Sequence, residues 1–292
     1  MFEVLVWGVA AVGVLALGLL VMPVPQRAIA RWLDDVASNE DQTFLAVRGA
    51  GVRFSLIAGV VWLVLTVIGF MVQLKVVAPA VALAFAIVVA LTAPGGGGNS
   101  RRASLEPTGP SRRALLALRV GAAVGLTVLG FAVVASLSYI GPLASQEFGM
   151  RGWGAILADQ PVLPDYERYL LPVLAATSAG LLGLSHLAWR RTYSRQVLLT
   201  PDGDADAAFR RLSWARIAAA LLGGQLVLAG GVISTLPWYL TSLGALSLGQ
   251  LHVVAGVAMT VVVGGLVVMV LALLRPFWTA SPRQPAPTPA AG

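Results

Sequence analysis

The chain has 292 residues, of which 58% are hydrophobic and only 11% are charged, and its formal net charge is +7. A soluble domain carries roughly 25% charged residues, so this chain lacks the polar surface needed to cover a core in water. The composition therefore excludes a soluble globular protein and predicts an integral membrane protein whose surface faces mostly lipid.

The residue types also exclude several kinds of site. Cysteine is absent, which excludes disulfides, thiolate metal sites and a cysteine nucleophile. Lys75 is the sole lysine among many arginines, a bias typical of a GC-rich genome, and we therefore expect a bacterial cytoplasmic membrane. The arginines adjoin apolar segments, as basic residues of membrane proteins do, so no nucleic-acid partner is expected.

Seven apolar stretches are long enough to cross a hydrocarbon core, which takes about 20 helical residues. The sequence therefore predicts an all-α polytopic bundle that forms one transmembrane domain over residues 1–280. A Pro- and Ala-rich tail at 281–292 is predicted to be disordered. The predicted spans are 2–22, 54–74, 76–93, 114–140, 169–189, 217–240 and 248–274.

Three connecting segments have distinct patterns. Residues 25–48 place Ile29, Trp32, Leu33 and Val36 at helical spacing and predict an amphipathic helix in the membrane interface. Residues 94–112 include a run of glycines and predict a flexible linker. The segment 141–168 is the sizeable outer loop and a candidate contact with a partner outside the cell.

The distribution of basic residues predicts the orientation of the chain. All of them except Lys75, Arg151 and Arg168 follow the first, third, fifth or seventh predicted span. Because cytoplasmic loops are enriched in Arg and Lys, the N-terminus is predicted to lie outside and the C-terminus in the cytoplasm.

Apart from their ends, the predicted spans contain no Asp, Glu, Lys or Arg. Ionisable residues inside the membrane usually mark proton relays and ion-coupled transport, so a proton-driven transporter is disfavoured. A retinal protein is excluded because its Schiff-base lysine would have to lie inside a helix, whereas Lys75 lies in a predicted turn.

The polar residues predicted to enter the membrane are His186, His252 and Gln225. The two histidines differ in predicted depth by roughly 20 Å at 1.5 Å per residue, so they cannot both ligate one haem iron. Each histidine could supply one ligand, and the second would come from a partner subunit or from a methionine at matching depth, Met71 for His252 or Met22 for His186. Alternatively, a histidine or Gln225 could bind a quinone carbonyl, or both histidines could bond only helix carbonyls or lipid headgroups.

Glycines and acidic residues form two further patterns in the sequence. Gly121 and Gly125 form a G-x-x-x-G motif, and the sixth span carries Gly223, Gly224, Gly230 and Gly231, which predict close helix packing. Asp202, Asp204 and Asp206 resemble a calcium loop but lack its glycine and its final glutamate. We interpret them as a polar loop and helix N-terminus ahead of Arg210, and the acidic residues at 34–41 as a solvated face.

These observations predict a membrane anchor or accessory subunit of a larger assembly, with an electron-transfer complex that holds a haem b or quinone as the leading candidate. The partners would be the lipid bilayer and other membrane or peripheral subunits. The alternative is a channel or permease for a small neutral solute, which would need a water-lined polar path. A third class, a lipid-handling or assembly factor, is neither supported nor excluded.

Overall fold

The computed structural model describes residues 40–71, 77–92, 110–147, 165–194, 203–242 and 248–279. Helices make up these segments, and none of the described residues belongs to a strand. The helices are α1 Glu40–Met71, α2 Ala78–Thr92, α3 Arg112–Glu147, α4 Asp165–Ser194, α5 Gly203–Ser242 and α6 Leu248–Thr279.

Four of these helices contain segments long and apolar enough to cross a membrane, at 112–134, 170–193, 210–234 and 252–273. They confirm four predicted spans as helices of sufficient length and support a membrane protein. The apolar parts of α1, at 56–69, and of α2, at 78–92, are shorter. The first predicted span and the tail lie outside the described residues, as does most of the predicted interfacial helix, whose residues 40–48 are continuous with α1.

α5 is the central helix of the bundle. It packs against α2, α3, α4 and α6, while α1 packs against α2. In its apolar segment 210–234, 72% of the positions are buried, compared with 22% in segment 112–134 of α3. The outer faces of α1 and α3 are correspondingly apolar and exposed, as expected where lipid is the solvent.

Glycines set the distance between α5 and its neighbours. A Cβ atom on Gly121 would lie 3.0 Å from the backbone of Leu222, and one on Gly224 would lie 2.7 Å from Cβ of Ala84. One on Gly223 would lie 2.5 Å from the carbonyl oxygen of Gly265. The predicted close packing is therefore confirmed within this chain, between α5 and each of α2, α3 and α6.

α2 has 15 residues, including many alanines, and is buried on nearly every side. At 1.5 Å per residue its length is about 22 Å, which is less than the roughly 30 Å of a hydrocarbon core. A helix that is apolar all round is expected to be surrounded by other helices. Small side chains here allow α1, α4 and α5 to approach together.

The hairpin of α1 and α2 contains a buried tryptophan. Trp62 is 8% exposed, and its Nε1 donates a hydrogen bond to the carbonyl oxygen of Pro79 over 3.0 Å. Trp62 therefore lies at the interface between α1 and α2 and not against lipid.

Replacement of Trp62 by phenylalanine is expected to destabilise the protein by about 1–3 kcal/mol, because both the hydrogen bond and part of the packed ring are lost. Thermal unfolding in a neutral detergent measures this effect. Leu63→Ala is the control, since Leu63 is exposed on the same helix. An equal loss of stability in both variants would contradict the role given to Trp62.

Candidate functional site

A polar cluster lies in the core where α3, α4 and α5 meet. Gln225 is fully buried; its Nε2 donates to the carbonyl oxygen of Ser178 over 3.2 Å. The hydroxyl of Ser178 lies 2.9 Å from Oε1 of Gln225 and 3.1 Å from the carbonyl oxygen of Gly125. We call Gly125, Ser178 and Gln225 the polar core cluster.

The position of Gly125 makes this cluster possible. A Cβ atom there would lie 2.8 Å from both Cδ and Nε2 of Gln225, closer than such atoms approach in proteins. The absence of a side chain therefore lets the Gln225 amide fit beside α3. Since both the oxygen and the nitrogen of the Gln225 amide are hydrogen-bonded, the cluster connects α3, α4 and α5 in the core.

The structure does not bring the other candidate residues to this cluster. His186 on α4 and His252 on α6 are both exposed on the outside of the bundle. Their helices pack on α5, which lies between them. Met71 on α1 is 77% exposed, and Met22 lies outside the described residues.

Each histidine lies in line with small residues on an outer helix face. On α4, the exposed residues Ala176, Ala179 and Gly183 precede His186 at spacings of three or four. A Cβ atom on Gly183 would meet nothing within 4 Å. We call residues 176, 179, 183 and 186 the α4 stripe.

The second stripe has the same character. His252 is followed on α6 by Gly256, Thr260 and Gly264 at four-residue steps, and a Cβ atom on either glycine would meet nothing within 4 Å. The hydroxyl of Thr260 donates to the carbonyl oxygen of Gly256 over 2.8 Å, so its polarity is satisfied within α6. We call these four residues the α6 stripe.

These stripes contrast with the exposed face of α1. That face consists of bulky aliphatic residues such as Leu56, Val60 and Leu63, which are well suited to lipid. In membranes, small residues concentrate where helices approach each other closely. The α4 and α6 stripes therefore have the composition of helix contacts, although no described helix of this chain covers them.

Aromatic rings and arginines cluster at one end of the bundle. Trp214 is fully buried, with its ring centroid 6.0 Å from that of Trp189 and 5.0 Å from that of Tyr193. Arg210 donates to the carbonyl oxygen of Tyr193 over 3.3 Å. The arginine count predicts that this end faces the cytoplasm, and we call it the arginine-rich end.

The carboxyl end of α2 is closed by an arginine from α4. Nη1 of Arg191 donates to the carbonyl oxygen of Thr92 over 2.6 Å. The last carbonyls of a helix lack partners within the helix and carry partial negative charge, so a guanidinium there is favourable. This contact fixes the end of the short helix to the arginine-rich end.

Arg216 is a candidate functional residue that the sequence patterns do not identify. It precedes the predicted span that begins at residue 217, whereas α5 begins at Gly203 and buries Arg216 to 8% exposure. The available signal was the acidic stretch ending at Asp206, interpreted as a helix N-terminus. A helix begun there extends about 15 Å before it reaches Arg216, at 1.5 Å per residue.

Within the described segments, no three His, Cys, Asp or Glu side chains come together as a metal site would require. The described buried atoms without a hydrogen-bond partner are Oγ1 of Thr66, Oγ of Ser185, Nε1 of Trp214 and Nε of Arg216.

Comparison with known proteins gives no relative: no protein family, curated protein or solved structure matches the chain.

Proposed function

We propose that this chain is a membrane-embedded anchor or accessory subunit of a larger assembly in a bacterial cytoplasmic membrane. The observation that carries the proposal is the pairing of each exposed histidine with a stripe of small residues. A face that only met lipid would gain nothing from Gly183, Gly256 or Gly264, since a glycine costs a helix about 1 kcal/mol relative to alanine. A face that receives a helix of another subunit needs such residues for close approach.

We propose further that a haem b or a quinone is held at one of these contacts. The imidazole of His186 or His252 would supply one iron ligand or one hydrogen bond, and the partner would supply the rest of the site. Met71 is exposed on α1 and its thioether is accessible to a partner. Gln225 lies apart from these exposed residues, and its amide is hydrogen-bonded to Ser178 in the core.

The permease alternative requires a polar path through the bundle. Ser178, Ser185 and Thr192 do form a buried line along α4, seven residues apart, which is the feature that favours it. However, α5 packs closely against α4 beside Ser178, since a Cβ atom on Gly224 would lie 2.6 Å from Cδ2 of Leu181 and Gln225 bonds Ser178 directly. The interior of the described bundle therefore favours the subunit over the permease.

Cross-linking in native membranes tests the subunit proposal directly. Because the chain contains no cysteine, single cysteines can be introduced at Gly183, Gly256 and Gly264, where the added side chain has room. Modified with a photoreactive maleimide, these positions are expected to give one discrete protein adduct. Cysteines at Leu56 and Leu63 on the lipid-like face of α1 are the matched controls, and adduct formation equal to theirs would contradict the proposal.

The cofactor is tested by the visible spectrum of the purified assembly, oxidised and dithionite-reduced. A reduced b-type band that is lost in His186→Ala or His252→Ala is the expected result for haem, and extractable quinone lost in the same variants is the result for a quinone site. If the spectrum is featureless and a partner co-purifies in a stoichiometric amount, the cofactor proposal is wrong and the chain is a purely structural subunit. Solute flux into liposomes that contain this chain alone would contradict the subunit proposal and support the permease alternative.

A further inference from the structure

Arg216 is a buried cation on α5 whose guanidinium is incompletely hydrogen-bonded. Its side chain is 8% exposed, and Nε has no hydrogen-bond acceptor. Its Cζ atom lies 5.1 Å from the centroid of the Phe54 ring. Such a contact contributes about 0.5–2 kcal/mol, whereas the effective cost of burying an ion is several kcal/mol.

Other arginines lie at the same end of the bundle as Arg216. The charged side chains described at the arginine-rich end are those of Arg112, Arg113, Arg119, Arg190, Arg191, Arg210, Arg211 and Arg216. Buried charges are ordinarily paired or hydrogen-bonded, whereas Nε of the buried Arg216 has no acceptor.

We propose that Arg216 binds a phosphate group at the arginine-rich end, between α1 and α5. A planar guanidinium matches the oxygens of phosphate and forms charge-assisted hydrogen bonds with them. The source that fits the location is the headgroup of an anionic phospholipid, because basic pockets between helices on the cytoplasmic side bind such headgroups. Free inorganic phosphate has the same chemistry and is the second source to be tested.

Thermal unfolding of the full chain in a neutral detergent distinguishes these sources. Phosphatidylglycerol is expected to raise the melting temperature, whereas phosphatidylcholine and inorganic phosphate at equal ionic strength are not. Arg216→Met is expected to lose most of this shift, and its half-maximal lipid concentration is expected to rise about tenfold. Arg190→Met is the matched control, since Arg190 is exposed at the same end, and it should retain most of the shift.

The variant without lipid separates binding from a structural role. If Arg216 serves a lipid, Arg216→Met in neutral detergent should be as stable as the parent or more so, because a buried and incompletely hydrogen-bonded charge has been removed. A lower melting temperature without lipid, together with an unchanged lipid shift, would overturn the proposal. If inorganic phosphate raises the melting temperature and this rise depends on Arg216, the ligand is free phosphate and not a lipid headgroup.

Should Arg216→Met fail to fold, Arg216→Lys keeps the charge but loses the planar set of donors. It is expected to weaken the phosphatidylglycerol shift and leave the response to phosphatidylcholine unchanged. An undiminished phosphatidylglycerol shift in this variant would overturn the proposal as well.

Discussion

Replacement of Gly223 by alanine is expected to destabilise the bundle by about 1–3 kcal/mol or more, because it overpacks a contact between two backbones. A Cβ atom there would lie 2.5 Å from the carbonyl oxygen of Gly265 and 2.5 Å from Cγ of Met269. The methionine can move, but the carbonyl belongs to α6 and cannot move without the helix. Gly265→Ala should behave in the same way, since its Cβ would lie 2.5 Å from the carbonyl oxygen of Gly223.

Thermal unfolding of the purified chain in neutral detergent measures this effect, and Gly256→Ala on α6 is its control. A Cβ atom at Gly256 meets nothing within 4 Å, and alanine is the better helix former by about 1 kcal/mol. The control should therefore be neutral or slightly stabilising. Equal behaviour of Gly223→Ala and Gly256→Ala would show that α5 and α6 are not in backbone contact.

Removal of the Ser178 hydroxyl is expected to destabilise the protein by about 1–3 kcal/mol, which is large for the loss of one atom. In Ser178→Ala, Oε1 of the fully buried Gln225 loses the donor that lies 2.9 Å away. A buried acceptor left without a donor costs most of its desolvation free energy. The double variant Ser178→Ala with Gln225→Met should cost less than the sum of the single variants, with a coupling of about 0.5–3 kcal/mol.

The control for this prediction is Ser185→Ala. Ser185 is also fully buried on α4, yet its Oγ has no hydrogen-bond partner, so its removal should be neutral or stabilising. Denaturation curves of the four variants and the parent provide the comparison. Equal destabilisation by Ser178→Ala and Ser185→Ala would contradict the hydrogen bonding assigned to the polar core cluster.

The sequence predicted the helices better than the contacts between them. Long apolar runs identify α3, α4, α5 and α6, because a helix in lipid needs about 20 apolar residues whatever surrounds it. The same uniform composition hides which face packs inward, so the partner of Gln225, which is Ser178 on another helix, could not be predicted. Arg216 was missed for a related reason, since a hydropathy window ends at a charged residue although the helix continues through it.

The glycines of this chain fall into two groups, buried contacts and open faces, that the sequence does not distinguish. Gly121, Gly125 and Gly223 were predicted as packing positions and lie against other helices. Gly183, Gly256 and Gly264 have the same character in the sequence but open space around them. Only the tertiary structure distinguishes a glycine in contact with another helix from a glycine on an open face. The α4 and α6 stripes could therefore not be predicted from the sequence.

The short helix α2 has a consequence for the way the protein is made. Its neighbours α4 and α5 follow it in the chain, and chains fold from the N-terminus during synthesis. α2 is therefore synthesised before α4 and α5, which bury it in the finished bundle, and α1 is its sole neighbour among the described helices made by then. The hydrogen bond from Trp62 to Pro79 joins these two helices, so the α1 and α2 hairpin has a stabilising contact of its own before α4 and α5 are synthesised.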